Sequence, residues 1–274
     1  MKKIDLHNHT TFSDGSLEPE ELVRRRKEEG FDVISITDHD GIEGSKLCFE
    51  QKLDEKYGIE IIPGIEFDSI NEYGKDMHIL GYDMDFDSPV LTEALASVER
   101  WRDERNEKLM QAILDDGYHL TWDEVNAING GRYVGKPTCA KALADSGQIP
   151  NVAYAFDVIF KKPEFKKTKK QTLNSDEVIK VIHAAGGKAV MAHPMEQMKP
   201  REGEVFETFK PRLIKILDLM IEYGIDGIEC CHPSSCEWQS EWLEAYADAH
   251  GLEKTMGSDF HSDGDFRDYG IYHR

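Results

Sequence analysis

Residues 31–40 read FDVISITDHD. Seven residues of apolar and β-branched character are too few for a helix. They alternate too little for a strand with one wet face. The run predicts a strand buried on both sides, as a parallel sheet requires. It ends in Asp38, His39 and Asp40, three titratable groups at one strand tip. Upstream, residues 18–29 predict a helix with Ser16 as N-cap and Gly30 just past its end. Before that, residues 3–6 predict a strand leading into His7-Asn8-His9. Downstream come a helix at 45–57, stopped by Gly58, and strands at 59–62 and 77–82. Strands alternating with helices predict parallel α/β packing closed into a barrel.

The alternation lapses after residue 91. A charged helix spans 91–116, and Thr121-Trp122-Asp123-Glu124 forms a capping box that opens another. Gly130-Gly131 breaks the pattern, residues 137–146 and 152–160 read as helices, and 161–170 is a basic stretch read as solvated. Residues 95–174 are therefore predicted to be a helical insertion in a barrel made of 1–94 and 175–274. Alternation resumes with a helix at 175–185 capped by Ser175. A strand at 188–192 delivers His193, a helix covers 209–223, and a strand at 227–230 delivers Cys231-His232. A helix at 237–250 then precedes a strand at 254–257 that delivers Ser258-Asp259-Phe260-His261. The count is about seven strands.

Composition narrows the function. With 274 residues, 39% hydrophobic, the chain is large enough for a sizeable core. No apolar run approaches the ~20 residues of a membrane span, and Met1-Lys2-Lys3 runs into a strand pattern without an apolar leader. The reading is a soluble, cytoplasmic protein with no membrane partner. Five cysteines in no framework spacing read as reduced thiols. A net charge of −20 disfavours duplex DNA. Bound divalent cations would reverse that sign locally, so a small phosphorylated substrate stays compatible.

Active-site groups of parallel barrels gather at the C-terminal strand ends. His7, His9, His39 with its neighbours Asp38 and Asp40, Glu66, His193, Asp259 and His261 follow that rule, with Asp14 five residues after His9. His78 lies early in its strand, so it is predicted to face inward from a different height. The pairs His7/His9 and Asp259/His261 each share one strand face. Imidazole and carboxylate without thiolate suit Mn, Fe, Zn or Ni. Nine such groups exceed the needs of one ion, which predicts several ions around a bridging carboxylate, a device for hydrolysis. His119, His183, His250 and His273 read as ordinary hydrogen-bonded histidines. Asp38 and Asp40 read as groups that orient imidazoles or cap helices.

The motifs DLHNHTTFSDG (5–15), ITDHD (36–40), GIEF (64–67), MHILGY (77–82), AHP (192–194) and GSDFH (257–261) resemble the PHP (polymerase and histidinol phosphatase) family of metal-dependent phosphoesterases. The resemblance implies a distorted, TIM-barrel-like (β/α)7 barrel holding three divalent ions, Mn, Fe or Zn. It assigns His7, His9, Glu66 and Asp259 to one ion. Glu66 bridges to a second, completed by His78 and His193, and Asp14, His39 and His261 hold a third. Asp14 stands where some relatives have histidine.

The insertion resembles that of the small-nucleotide branch. Its segment GGRYVGKPT (130–138) offers Arg132, Lys136 and Thr138 to substrate, where relatives often have Arg for Lys136 and His for Thr138. The implied activity is hydrolysis of nucleotide mono-, bis- or cyclic phosphates by a metal-bridging hydroxide, with Asp14 and His193 essential. His232, at a strand tip outside the nine, is the candidate acid for the leaving group. Rival readings are a 5′-3′ exoribonuclease on short RNA, using the lysines of 161–170, an amidohydrolase, and a non-catalytic metal sensor. The amidohydrolase reading lacks the mid-barrel lysine that class adds, and a sensor has no use for open coordination positions.

Overall fold

The structure, a computed structural model, describes residues 2–128, 130–198 and 204–263. His273 lies outside them. Seven strands form a nearly closed sheet in the order β1 (Ile4–Asp5), β2 (Val33–Ile36), β3 (Glu60–Ile70), β4 (Asp76–Tyr82), β6 (Lys188–Met191), β7 (Gly227–Cys231) and β8 (Glu253–Met256). A short β5 (Leu173–Asn174) adds to β3. β1 and β8 close the ring through Leu6 N donating to Met256 O (3.0 Å) and His9 N donating to Phe260 O (2.9 Å). The expected α/β barrel is present.

One strand breaks the parallel pattern. β4 runs antiparallel to both β3 and β6. A parallel neighbour needs a crossover of a dozen or more residues, whereas a hairpin needs only a few. Five residues, 71–75, join β3 to β4. Asn71 organises them: its Oδ1 accepts from Tyr73 N (3.0 Å) and Lys75 N (3.1 Å), and its carbonyl accepts from Gly74 N (2.8 Å). Gly74 supplies the positive φ the turn requires. This reversal explains His78. The start of an antiparallel strand lies beside the end of its partner, and His78 pairs with Asp68 near the end of β3.

The barrel helices are α1 (Pro19–Glu28), α2 (Glu43–Glu50), α3 (Leu53–Tyr57), α9 (Ser175–Ala184), α11 (Phe206–Tyr223) and α12 (Glu237–His250), with a one-turn α10 (Pro194–Gln197). Three local expectations are corrected. Ser16 does not cap α1; its backbone N–H donates to His261 O, and Glu18 precedes a helix opened by Pro19. The helix expected at 45–57 is split at Lys52, whose backbone is left-handed. Asn174, not Ser175, caps α9, in a capping box with Glu177.

Between β4 and β5 lie α4 (Pro89–Asp115), α5 (Trp122–Asn126), α6 (Lys136–Asp145), α7 (Val152–Tyr154), a π-helical turn (Ala155–Ile159) and α8 (Pro163–Lys166). Thr121 and Glu124 form the expected capping box at α5. These helices have their own apolar cluster, including Leu109, Ile113, Val125, Leu143, Ile159 and Phe165. α4 serves both bodies, because Leu91 packs in the main barrel cluster. The stretch 161–170 is not uniformly solvated. Lys170 turns inward to ion-pair with Asp40 and with Asp68 (2.6 Å to the latter).

Candidate metal centre

The site begins with β1. His7 and His9 share a face, and Asn8 between them points the other way into a buried polar network. Asn8 Nδ2 donates to Asp5 O and Ser35 O (3.1 Å each), and its Oδ1 accepts from Arg26 Nε (2.8 Å). β8 comes so near that a Cβ on Gly257 would lie 2.2 Å from His7 Cβ. Only glycine lets Asp259 reach the same bowl from the other side. His193 and Asp259 both have positive φ, as does Asp40. Such strain persists where surrounding contacts over-determine it.

All nine groups singled out in the sequence converge. Glu66, fully buried on β3, lies at the centre. Its Oε2 faces His7 Nε2 (3.3 Å), His9 Nε2 (3.2 Å) and His39 Nδ1 (3.2 Å). Its Oε1 faces His78 Nδ1 (2.9 Å) and His193 Nε2 (3.0 Å). Asp259 Oδ1 lies 3.3 Å from His7 Nε2 and 3.1 Å from His9 Nε2. Asp14 Oδ1 is 3.2 Å from His261 Nε2 and 3.8 Å from His9 Nδ1.

The remaining residues fall in different places. Asp38 touches no imidazole directly. It accepts from Thr10 N (2.7 Å), Thr10 Oγ1 (2.7 Å) and Ser13 Oγ (2.6 Å), tying down the loop that carries Asp14. His232 is buried near the bowl, with Nε2 3.4 Å from Asp259 Oδ2. Its Nδ1 lies 2.8 Å from Ser234 Oγ and 3.1 Å from Ser234 N, so Nε2 is the nitrogen turned toward the site. Arg132 is held by Glu18 (2.7 Å) and lies over the Phe12 ring. Lys136 is half-buried and lines a hollow beside His78. Thr138 is a correction to the expected substrate set. Its buried hydroxyl accepts from Gly135 N (2.7 Å) and donates to Gly135 O (2.9 Å), so it builds the start of α6.

Two carboxylates escaped the sequence reading. Asp68 places Oδ1 3.3 Å from His39 Nδ1 and 3.5 Å from His78 Nε2. Its two-residue spacing from Glu66 on one strand was the available signal. Glu229, fully buried, accepts at Oε1 from His7 Nδ1 (3.0 Å) and at Oε2 from His193 N (2.8 Å). It is the lone carboxylate in the otherwise apolar run GIECC.

The donor chemistry fits divalent ions. His7 Nε2, His9 Nε2, His39 Nδ1, Asp14 Oδ1 and Glu66 Oε2 are buried with no hydrogen-bond partner among the described residues. Buried polar atoms are rarely left so, and here they point at one another. His7, His9, Glu66 and Asp259 form one cluster with metal-ligand spacing, His9, Asp14, His39 and His261 another, and His39, Glu66 and His78 a third. Burial alone would raise the Glu66 carboxyl, but His39, His7 and His78 hold it well below the usual carboxylate range. Burial opposes charge on His7 too, yet Glu66, Glu229 and Asp259 push it well above its ordinary value. The carboxylates thus draw positive charge into the bowl, as protons on the imidazoles or as divalent ions in their place. Among the described residues, no Lys or Arg pairs with Asp14, Glu66 or Asp259.

The PHP domain family model matches residues 5–269. The chain belongs to the PHP domain family. This PHP protein is 31% identical to a 5′-3′ exoribonuclease of Haemophilus influenzae, over 95% of its own length and 90% of the relative's. It is 29% identical to a 3′,5′-nucleoside bisphosphate phosphatase of Chromobacterium violaceum, over 97% and 89%. A provisionally assigned metal-dependent phosphoesterase from Bifidobacterium adolescentis superposes with a TM-score of 0.83 at 28% identity, covering 100% of this chain and 92% of that one. The PHP protein is a metal-dependent phosphoric ester hydrolase. No helix among its described residues is long and apolar enough to cross a membrane.

Carboxylates that hold the far nitrogen of a ligating histidine tune metal affinity, typically by ~10–100-fold. Glu229→Gln is expected to weaken metal binding by about that factor while the fold is kept. Metal titration followed by calorimetry checks it, and unchanged affinity would remove Glu229 from this role.

Proposed function

We propose that the enzyme hydrolyses small nucleotide phosphates, with the scissile phosphate in the bowl around Glu66. The observation that carries this is the division of Glu66. One oxygen faces imidazoles of β1 and the β2 tip, the other faces His78 and His193. A carboxylate so shared suits bridging of two ions. His7, His9, Glu66 and Asp259 would hold one, Glu66, His78 and His193 a second, and Asp14, His39 and His261 a third. Such ions, of the Mn, Fe or Zn type, would neutralise phosphoryl oxygens and acidify water for attack near neutral pH.

The chain's own residues do the rest. Glu229 fixes the His7 tautomer and Asp38 ties down the Asp14 loop. The floor of the bowl, formed by His7, His9 and Glu66, is fully buried. His232, as an imidazolium with Nδ1–H donated to Ser234 Oγ and Nε2–H toward the site, is suited to protonate the departing alkoxide and end as the neutral ring. Arg132 joins the helical segment to the barrel through Glu18, closing one side. The acidic remainder of the molecule, net −20, argues for a substrate short enough to be governed by the site itself.

The test is phosphate release from nucleoside mono-, bis- and cyclic phosphates and a short 5′-phosphorylated RNA, with Mn. Turnover of mononucleotides is expected. Cleavage of the RNA alone would transfer the reading to the exoribonuclease. His232→Asn is expected to slow nucleotide hydrolysis by ~10²-fold or more, the usual worth of a general acid. p-Nitrophenyl phosphate, whose leaving group needs no proton, should lose little. Equal losses on both would exclude His232 as the acid.

A further inference from the structure

His232 lies against the bowl but outside its nine groups. It is 2% exposed, and its Nε2 is buried with no hydrogen-bond partner among the described residues. The ring is held from behind, where Nδ1 lies 2.8 Å from Ser234 Oγ. Nε2 is thereby aimed at Asp259 Oδ2, 3.4 Å away. Asp259 divides its oxygens as Glu66 does. Its Oδ1 faces His7 Nε2 (3.3 Å) and His9 Nε2 (3.1 Å), and its Oδ2 faces His232. Glu196, on the one-turn α10, supplies another carboxylate beside them. One ligand atom from each of Glu196, His232 and Asp259 lies within 4.8 Å of the others.

These donors come from separate strand ends: Glu196 follows β6, His232 follows β7 and Asp259 follows β8. Each is held in place. Gln197, next to Glu196, donates from Nε2 to Ala192 O (2.8 Å) and His78 O (3.1 Å), which fastens α10 to the ends of β6 and β4. Glu196 N donates to His193 O (2.9 Å). One imidazole and two carboxylates suit zinc, which takes such a set in open sites and keeps a position for water. Mn binds a nitrogen-containing set less tightly. A ring that ligates through Nε2 carries its proton on Nδ1, and Ser234 Oγ is placed to accept it. Glu196 is only half-buried and Asp259 already serves the bowl, so the trio is a weaker seat than the bowl itself.

We propose that Glu196, His232 and Asp259 form a further cation site, which takes zinc once the bowl is filled and so inhibits the enzyme. Asp259 links it to the bowl, one oxygen to each. Inhibition follows from the chemistry of Nε2, which cannot hold a metal ion and a proton at once. Zinc takes the nitrogen lone pair, the proton leaves to solvent, and the departing alkoxide loses its donor. The inhibitory half of the proposal rests on the reading of His232 as the acid. The binding half does not.

The experiment fills the bowl with zinc, removes the excess by dialysis, and then titrates more zinc into wild type, Glu196→Gln and His232→Asn. Calorimetry reads binding. Wild type is expected to take up one additional ion per chain, and each variant to bind it about tenfold or more weakly, because each has lost a ligand. Without added zinc, Glu196→Gln should turn over a nucleoside monophosphate as wild type does. Added zinc should suppress that reaction in wild type and spare p-nitrophenyl phosphate, whose leaving group needs no proton. In Glu196→Gln the midpoint of inhibition should rise by the same factor as the loss of affinity. No additional ion in wild type, or one bound equally by all three proteins, overturns the site. An ion lost from both variants, with inhibition equal on the two esters, upholds the site and overturns only the reading of His232 as the acid. If wild type hydrolyses neither ester, the phosphate reading of the bowl fails, and the binding titration still decides the site.

Discussion

Glu66→Gln is expected to lower phosphate-ester turnover by ~10³-fold or more. The side chain keeps its shape, so the effect isolates charge. Wild-type Glu66 presents acceptor oxygens to nitrogens of His7, His9, His39, His78 and His193. Glutamine replaces one oxygen with an amide that cannot bridge cations. Losing several kcal/mol of transition-state charge stabilisation corresponds to that factor, at about 1.4 kcal/mol per tenfold. Bound metal per chain should fall together with turnover, and the urea midpoint should stay close to wild type. Full turnover with a full complement of metal would sink the assignment of Glu66 as the bridging group.

The largest effect on stability is expected at Arg26, on α1. Its side chain is 1% exposed. Nε donates to Asn8 Oδ1 (2.8 Å), Nη2 to Ser258 Oγ (2.9 Å) and Nη1 to Glu29 Oε2 (2.8 Å), and Nη2 lies 3.1 Å from the buried Asp5 Oδ2. Its guanidinium also lies over the Phe260 ring, 4.8 Å from the centroid. Asp5 in turn accepts from Ser258 N and Oγ (2.8 Å each). This network ties the first strand to the loop after the last one, where the barrel seam has few ladder bonds. Arg26→Met retains the apolar stem but strands the Asp5 carboxylate. Breaking one side of a buried pair costs roughly 3–5 kcal/mol, which for a protein of this size lowers Tm by roughly 10 °C. Urea and thermal melts measure it. A loss below about 1 kcal/mol would show that the seam holds without Arg26.

The nine metal-seeking residues were legible because of where they stand. Histidines and carboxylates at the tips of β-branched runs are improbable by chance, and parallel barrels bring such tips together. The height of His78 was not legible, because a strand's direction depends on its connection. The turn at 71–75 carries that signal in Asn71 and Gly74, and it passed as an ordinary loop. Lys170 was read as solvated, since a lysine among lysines gives no hint that Asp40 and Asp68 face it from strands more than a hundred residues earlier. Thr138 was read as facing substrate, and the local demand of the α6 N-terminus claimed it.

The sequence by itself determined the α/β barrel class, from local periodicity, and pointed to the bowl's groups, from residue type at strand ends together with the resemblance of its motifs to the PHP family. Only the tertiary structure decided which way β4 runs, that Glu229 and Asp68 stand behind the imidazoles, and that Arg26 closes the seam. It also decided that Arg105 and Lys136 line one hollow beside the bowl. Those outcomes depend on pairings between residues far apart in the chain, and their energies arise only when burial removes water from charges that folding has brought together.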